Sequence, residues 1–395
     1  MAFVTDLLFL KILYVVFGKK KALKRWFIIF TLIFWAVIGV WILSISLNHL
    51  PDYAKYGRYF EVVAGVFALY IPKAVTAFLG SIPKIPALFA KRFSIRKKRS
   101  HFALFSLLVG AMVTFFMIDG IFFGKYRYTP EVIVIESEKI PPSFDGFRIV
   151  QLSDFHLGSF RQPDLLAPAI DMTNAMRPDL VLFTGDMINA RMEEAVGWFP
   201  LLNRIQAKYG CYSVTGNHEL GDFSGYGAIQ ADTAIISGIG ELHAALGFTL
   251  LPDTCVYLKK GIDSIAIVGV HNCGRGRFRS TGNLKKVVTT LSPETFSILL
   301  SHDPLHWKSE VLPESSIDLT LSGHTHAAQM GIDLPWFKWS PVSLMYPRWA
   351  GLYECDGRWL YVHRGTGFIG FSGRVGMTPE VTLIILKHKK PNEAV

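Results

Sequence analysis

The sequence predicts an α/β domain with crossover helices, standing behind a helical membrane anchor, and two patterns carry that prediction. The first is a series of short apolar runs after residue 147, each closing on Asp, Asn or His. Buried parallel strands give such runs, and their carboxyl ends are where open α/β sheets place ligands. The second is a set of long apolar stretches before residue 124. Half of the 395 residues are hydrophobic and 30 are Phe, more apolar than a soluble enzyme of this length. The expected division is an anchor over 1–124 and a catalytic domain over 125–395.

In the anchor, Trp26–Leu47 is 22 residues without a charge. As a helix it would reach roughly 33 Å, against a bilayer core of roughly 30 Å. Phe102–Phe123 is a second such run, interrupted only by Asp119. Phe60–Leu79 is weaker, because Pro72-Lys73 falls within it; such a lysine either snorkels or faces a neighbouring helix. Met1–Phe17 is weaker again, short and carrying Asp6 and Lys11, and whether it spans stays open. It lacks the basic start and small-residue cleavage site of a signal peptide.

Charge sets the orientation. Residues 1–127 hold 18 Lys/Arg against 4 Asp/Glu, and the remaining 268 hold 23 against 27. The chain's net +10 therefore belongs to the anchor, and the mildly acidic remainder argues against a nucleic-acid partner. Basic clusters at Lys19–Arg25 and Lys84–Arg99 precede two of the apolar runs. The positive-inside rule makes both loops cytoplasmic and leaves everything after Gly124 outside the cytoplasm. The expected location is the cytoplasmic (inner) membrane, multi-pass, with the catalytic domain facing the periplasm or exterior.

Beyond the anchor, Glu131–Ile135 alternates like an edge strand. Asp164–Met176 and Glu193–Lys208 read as helices between strands, giving a β-α-β-α-β order from 147 to 217. Leu250–Leu258 and Ser264–Val270 read as paired strands, and Leu352–Leu386 as an antiparallel second sheet. Cys211, Cys255, Cys273 and Cys355 form no CxxC pair and no zinc-knuckle spacing, which argues against a thiolate metal site and leaves any disulfide unassigned.

The five strand ends are Asp154-Phe155-His156, Gly185-Asp186, Gly216-Asn217-His218-Glu219, His302-Asp303 and Gly323-His324-Thr325-His326. Their ligand types are carboxylate, amide and imidazole, which suit Mn, Fe or Zn without choosing among them. In the Asp-x-His and His-x-His spacings, an extended segment would send both side chains to one side. Together, in this order, the five blocks resemble the calcineurin-like metallophosphoesterases, and the anchor resembles membrane-anchored bacterial members.

The resemblance implies a four-layer α/β/β/α sandwich holding two divalent metal ions. Asp154, His156 and His326 would hold one ion, Asn217, His302 and His324 the other, and Asp186 would bridge both. His218 would be the general acid that protonates the leaving oxygen. Glu219 and Asp303 would orient their neighbours. The implied function is dinuclear-metal-dependent hydrolysis of a phosphoester in a lipid-linked or membrane-proximal substrate. The alternatives are a pyrophosphatase of the UDP-diacylglucosamine type in lipid A synthesis, which needs access to the cytoplasmic leaflet, and a catalytically silent membrane scaffold. No protein partner is expected.

Two stretches fall beside this pattern. His271, with Arg275 and Arg277 in a Gly-containing loop, is a candidate grip for substrate phosphate, and a solvated basic loop is an equal reading. Trp336-Phe337-Lys338-Trp339, with Tyr346 and Trp349, suits either a bilayer interface or a packed core. Ala327-Ala328 stand where many members of the resembled family carry glycines, and their methyl groups would narrow the pocket.

Overall fold

The computed structural model describes residues 1–49, 52–82, 95–220, 233–274 and 280–390. The chain forms two compact units. One comprises Met1–Pro51, Arg58–Phe123 and Gly370–Val375; the other comprises Asp52–Gly57, Gly124–Ile369 and Gly376–Val395.

The first unit is built of α1 (Ala2–Phe17), α2 (Lys21–Leu47), α3 (Tyr56–Leu79) and α4 (Ile95–Phe122). Lys21–Leu47, Tyr56–Leu79 and His101–Phe122 are long and apolar enough to cross a membrane. Lys73 does not snorkel. Its Nζ lies 2.7 Å from Asp6 Oδ1 in α1, and Tyr70 donates to the other carboxylate oxygen at 3.0 Å. An unpaired charge among apolar helices is expensive, and each of these charges answers the other. The late segment Gly370–Val375 belongs to this unit as well. The backbone N–H of Ser372 donates to the Phe60 carbonyl and that of Arg374 to the Gly120 carbonyl, both at 3.0 Å. The basic run Lys84–Arg99 falls mostly outside the described residues.

The second unit is a mixed α/β structure with two six-stranded sheets. In chain order the first half is β1 (Thr129–Ser137), β2 (Arg148–Leu152), α5 (Ala167–Ala175), β3 (Leu180–Phe183), α6 (Phe199–Leu202), β4 (Cys211–Ser213), α7 (Thr233–Ala245) and β5 (Thr249–Leu250). The second half runs β6 (Thr254–Lys260), β7 (Asp263–Gly269), α8 (Leu284–Val288), β8 (Ser297–Leu300) and β9 (Leu319–Ser322). It continues through β10 (Ile332–Leu334), β11 (Phe337–Trp339), β12 (Gly351–Cys355), β13 (Arg358–Val362) and β14 (Glu380–His388). One sheet has the order β1-β14-β2-β3-β4-β5 and the other β12-β13-β9-β8-β7-β6; β10 and β11 form a separate hairpin.

Three apolar clusters make four layers of this. Ile149, Leu180 and Ile384 from one sheet meet Ile267, Ile298 and Leu321 from the other. The residues one step along each strand point the opposite way, since strand side chains alternate. Val150, Val181 and Phe183 pack on Ile170, Leu201 and Leu242 of the helices covering the first sheet. Val268, Leu299 and Leu360 pack on Leu284, Val287 and Trp307, which cover the second.

Three local expectations are corrected. Glu193–Lys208 is not one helix but a 3-10 turn at Met192–Ala195 followed by the single-turn α6. Gly197, at φ 90°, and Pro200 leave little room for a longer one. The strands of Leu250–Leu258 shift, so that Thr249–Leu250 joins the first sheet and Thr254–Lys260 pairs antiparallel with β7. In the tail, β12 and β13 do pair antiparallel in the second sheet, but β14 crosses back to lie between β1 and β2. Its burial on both faces, Val381 through Ile384, fits a central strand. All four cysteines are free.

Candidate metal centre

The metal-ligating residue types gather at the carboxyl ends of β2, β3, β4, β8 and β9. Asp154, His156, Asp186 and His326 offer donor atoms within 4.8 Å of one another, and so do Asp186, His302 and His324. Asp186 is common to both groups. Asn217 joins the second, its Oδ1 2.9 Å from His324 Nδ1.

The backbone makes this convergence, but not through extended segments. Asp154, His156, Asp186, His324 and His326 all have positive φ, between 49° and 72°. Non-glycine residues rarely adopt that region, and the strain gathers at sites where side chains must be aimed. Three of the five strands, β2, β3 and β9, therefore end in left-handed turns that throw their ligand types inward. Glycines are required beside them. A Cβ on Gly185, itself at φ 96°, would lie 2.8 Å from His302 Nδ1, and one on Gly323 would overlap Asp154 Oδ2.

The charges balance tightly. Burial alone would raise the Asp186 carboxyl, yet the imidazoles of His302, His218 and His156 hold it well below the usual carboxylate range. Burial would lower His302, but Asp186 and Asp154 drive it up to about 10. His324 is pushed down to about 3 by burial and then by His302. Two buried carboxylates thus stand among imidazoles that burial favours as neutral donors, a donor set that a cation would satisfy. His156 Nε2 and His326 Nε2 face each other at 3.0 Å, a geometry in which two ring nitrogens aim at one point. The Asp/His cluster suits a binuclear metal site, and nothing in it selects the metal.

His218 lies beside this cluster. Its backbone N–H donates to Asp186 Oδ1 at 3.0 Å, its Nδ1 donates to the Asn189 carbonyl, and its Nε2 is 4.0 Å from Asp186 Oδ2. Glu219 does not point at the cluster. Its carboxylate accepts the backbone N–H groups of Gly216, Asp186, Met187 and Ile188, which fixes the tips of β3 and β4 together. His271 is buried at the end of β7, its Nδ1 2.9 Å from Thr215 Oγ1. Arg275 and Arg277 lie outside the described residues.

Tyr346 and Trp349 are core residues, 7% and 8% exposed, packed with Ala327 and Met377. The methyl of Ala327 therefore fills that core. Trp336, Phe337 and Trp339, on the hairpin, are 81%, 45% and 43% exposed. The sequence reading missed what Tyr346 does: its hydroxyl meets His324 Nε2 at 2.8 Å, opposite the nitrogen turned toward Asn217. It also missed Asn189 and Glu194, which no motif spacing marks.

A model of the calcineurin-like phosphoesterase family matches residues 147–328. An uncharacterized metallophosphoesterase of Bacillus subtilis, YkuE, is 33% identical over 306 residues, covering 74% of this chain and 99% of that protein. A transmembrane protein with metallophosphoesterase domain from Bos taurus is 29% identical over 300 residues, covering 73% of this chain and 64% of that protein. An uncharacterized metallophosphoesterase of Campylobacter jejuni is 31% identical over 265 residues, covering 66% of this chain and 64% of that protein. The chain thus spans slightly under two thirds of the latter two.

Proposed function

This chain belongs to the calcineurin-like phosphoesterase family, and on that premise we propose that it hydrolyses a phosphoester of a lipid-linked or membrane-proximal substrate. The chain is a metal-dependent phosphoesterase, and three of its helices are long and apolar enough to span a membrane.

The observation that carries the reading is the meeting of two donor groups at Asp186. Asp154, His156 and His326 would hold one divalent ion and Asn217, His302 and His324 the other, with Asp186 shared. Bound there, the ions would supply positive charge against the negative charge on the phosphoryl oxygens and lower the pKa of water. The protein's own residues do the rest. His218 presents Nε2 to the site while Nδ1–H is tied to the Asn189 carbonyl, so as an imidazolium it would give its Nε2 proton to the leaving oxygen and remain as the Nδ1–H tautomer. Tyr346 holds the ring of His324 from behind. His271, Arg275 and Arg277 are weaker candidates for gripping substrate phosphate.

Residues 1–124 would be the anchor and 125–395 the catalytic domain, in the cytoplasmic membrane and facing outward. The chain passes from the last apolar helix, ending at Phe122, to β1, beginning at Thr129, in a few residues. That tether would keep phosphorylated head groups at high local concentration. The full-length protein in detergent should hydrolyse an aryl phosphodiester with added Mn²⁺ and a phosphorylated lipid in mixed micelles. Hydrolysis untouched by a chelator would overturn the metal chemistry; aryl diester turnover without any on lipid would overturn the substrate class.

A further inference from the structure

Six successive backbone N–H groups, from Asp186 to Arg191, donate to buried glutamates. Asp186, Met187 and Ile188 donate to Glu219, which follows His218 in sequence. Asn189, Ala190 and Arg191 donate to Glu194, at 2.6, 2.9 and 3.0 Å. Glu194 is 5% exposed and sits in the 3-10 turn Met192–Ala195. Gly158, just past the tip of β2, approaches so closely that a Cβ there would overlap Glu194 Oε2. One carboxylate thus joins the loops that follow β2 and β3.

The middle of this arrangement is Asn189. Its N–H is fixed by Glu194, its side chain exchanges hydrogen bonds with Ser159, and its carbonyl receives Nδ1–H of His218. A backbone carbonyl only accepts, so Nδ1 keeps its proton and Nε2 is the nitrogen that faces the site, where the doubly protonated ring would release the Nε2 proton and leave the Nδ1–H tautomer. The segment from Asn189 to Arg191 lies in neither sheet nor helix, and without a strut its carbonyl would swing. We propose that Glu194 is a positioning residue for the reaction: by gathering three consecutive N–H groups it holds the Asn189 carbonyl where it orients His218. The inference rests on the reading of His218 as proton donor given above.

The experiment is a double-mutant cycle in the full-length protein, with metal content measured alongside. Glu194→Gln keeps the shape but replaces one accepting oxygen by a donor. Turnover of a phenyl phosphodiester should fall about 10- to 100-fold, the usual size of an outer-shell effect, with KM nearly unchanged and both metals retained. A diester with a nitrophenyl leaving group should lose less. In a His218→Asn background the same change should add almost nothing, because the two act as one unit. Losses that multiply in both backgrounds, or that follow metal loss, would reduce Glu194 to a staple of the fold and overturn the proposal. Two measurements on the unmutated protein stand independent of activity. Amides 189–191 should exchange with solvent as slowly as the sheet cores, and the His218 ring should show Nδ1–H by ¹⁵N resonance. Fast exchange, or the opposite tautomer, overturns the positioning even if Glu194→Gln does not fold. If the unmutated protein shows no phosphoesterase activity while both hold, the functional reading fails and the orientation of His218 stands.

Discussion

His156 and His326, 170 residues apart in sequence, turn their Nε2 atoms toward each other at 3.0 Å in a buried space that Asp186 Oδ2 also borders at 3.6 Å from His156. Two neutral imidazoles can share one proton there, but a cation satisfies both lone pairs and the carboxylate at once. Metal should therefore stabilise the second unit. With free Mn²⁺ at 100 times its dissociation constant, each site should add about 2.7 kcal/mol to unfolding, read as a rise in the melting transition over chelated protein. Asp186→Asn should empty both sites, whereas His156→Asn should empty mainly one, as counted by elemental analysis.

His218→Asn should leave metal content near normal and lower turnover by about 10²- to 10⁴-fold, the ordinary contribution of a general acid. Kinetics against a series of leaving groups check this. The loss should shrink as the leaving group becomes a weaker base, and proportional loss of metal would make His218 a ligand.

Ala328 sits at φ 49° and is only half-buried, while Ala327, at φ 50°, is fully buried. A left-handed alanine costs roughly 1–2 kcal/mol, part of which a glycine returns as freedom in the unfolded chain. Ala328→Gly should raise stability by about 0.5–1 kcal/mol in thermal unfolding. Ala327→Gly should gain less, since it also removes a methyl packed on Tyr346 and Trp349.

His243, at the end of α7, is fully buried with Nδ1 2.8 Å from Ser213 Oγ. Burial, with a smaller push from His271, lowers it from 6.5 to about 4. A histidine depressed in the folded state takes up its proton more readily when unfolded. Its contribution is thus whole above pH 6.5 and is lost as pH falls toward 4, by about 3 kcal/mol in all. His243→Gln should flatten that acid limb in melts recorded across the range, and an unchanged slope would show that other groups carry it.

A membrane-impermeant thiol reagent, applied to intact cells with any outer membrane permeabilised, should reach a cysteine placed at exposed Trp336. Protection until the inner membrane is lysed would put the catalytic unit in the cytoplasm. A nucleotide-linked lipid precursor would then become the better substrate.

The strand ends were legible in the sequence because each combines a buried run with a polar terminus, and the eight candidate residues from Asp154 to His326 do gather at one place. The left-handed turns that aim them were not legible, because Asp, His and Ala give no sign of positive φ as a glycine would. Glu194 and Tyr346 were hidden for a different reason. Each acts through a hydrogen bond whose partner is fixed by tertiary structure, a backbone N–H in one case and the far side of a ring in the other. The return of β14 to the first sheet was equally silent, since an apolar strand does not name its neighbour.

The six residues Gly370–Val375 join a helical unit whose other parts all precede residue 124. A ribosome must therefore make nearly the whole protein before that unit can receive its final piece, Ser372 on Phe60 and Arg374 on Gly120. Biogenesis then cannot proceed as anchor first and enzyme afterwards. An insertion machinery would hold an incomplete bundle until the 246 residues Gly124–Ile369 are made, and a fragment cut at 125 would carry Phe371 and buried Arg374 without the helices of that unit.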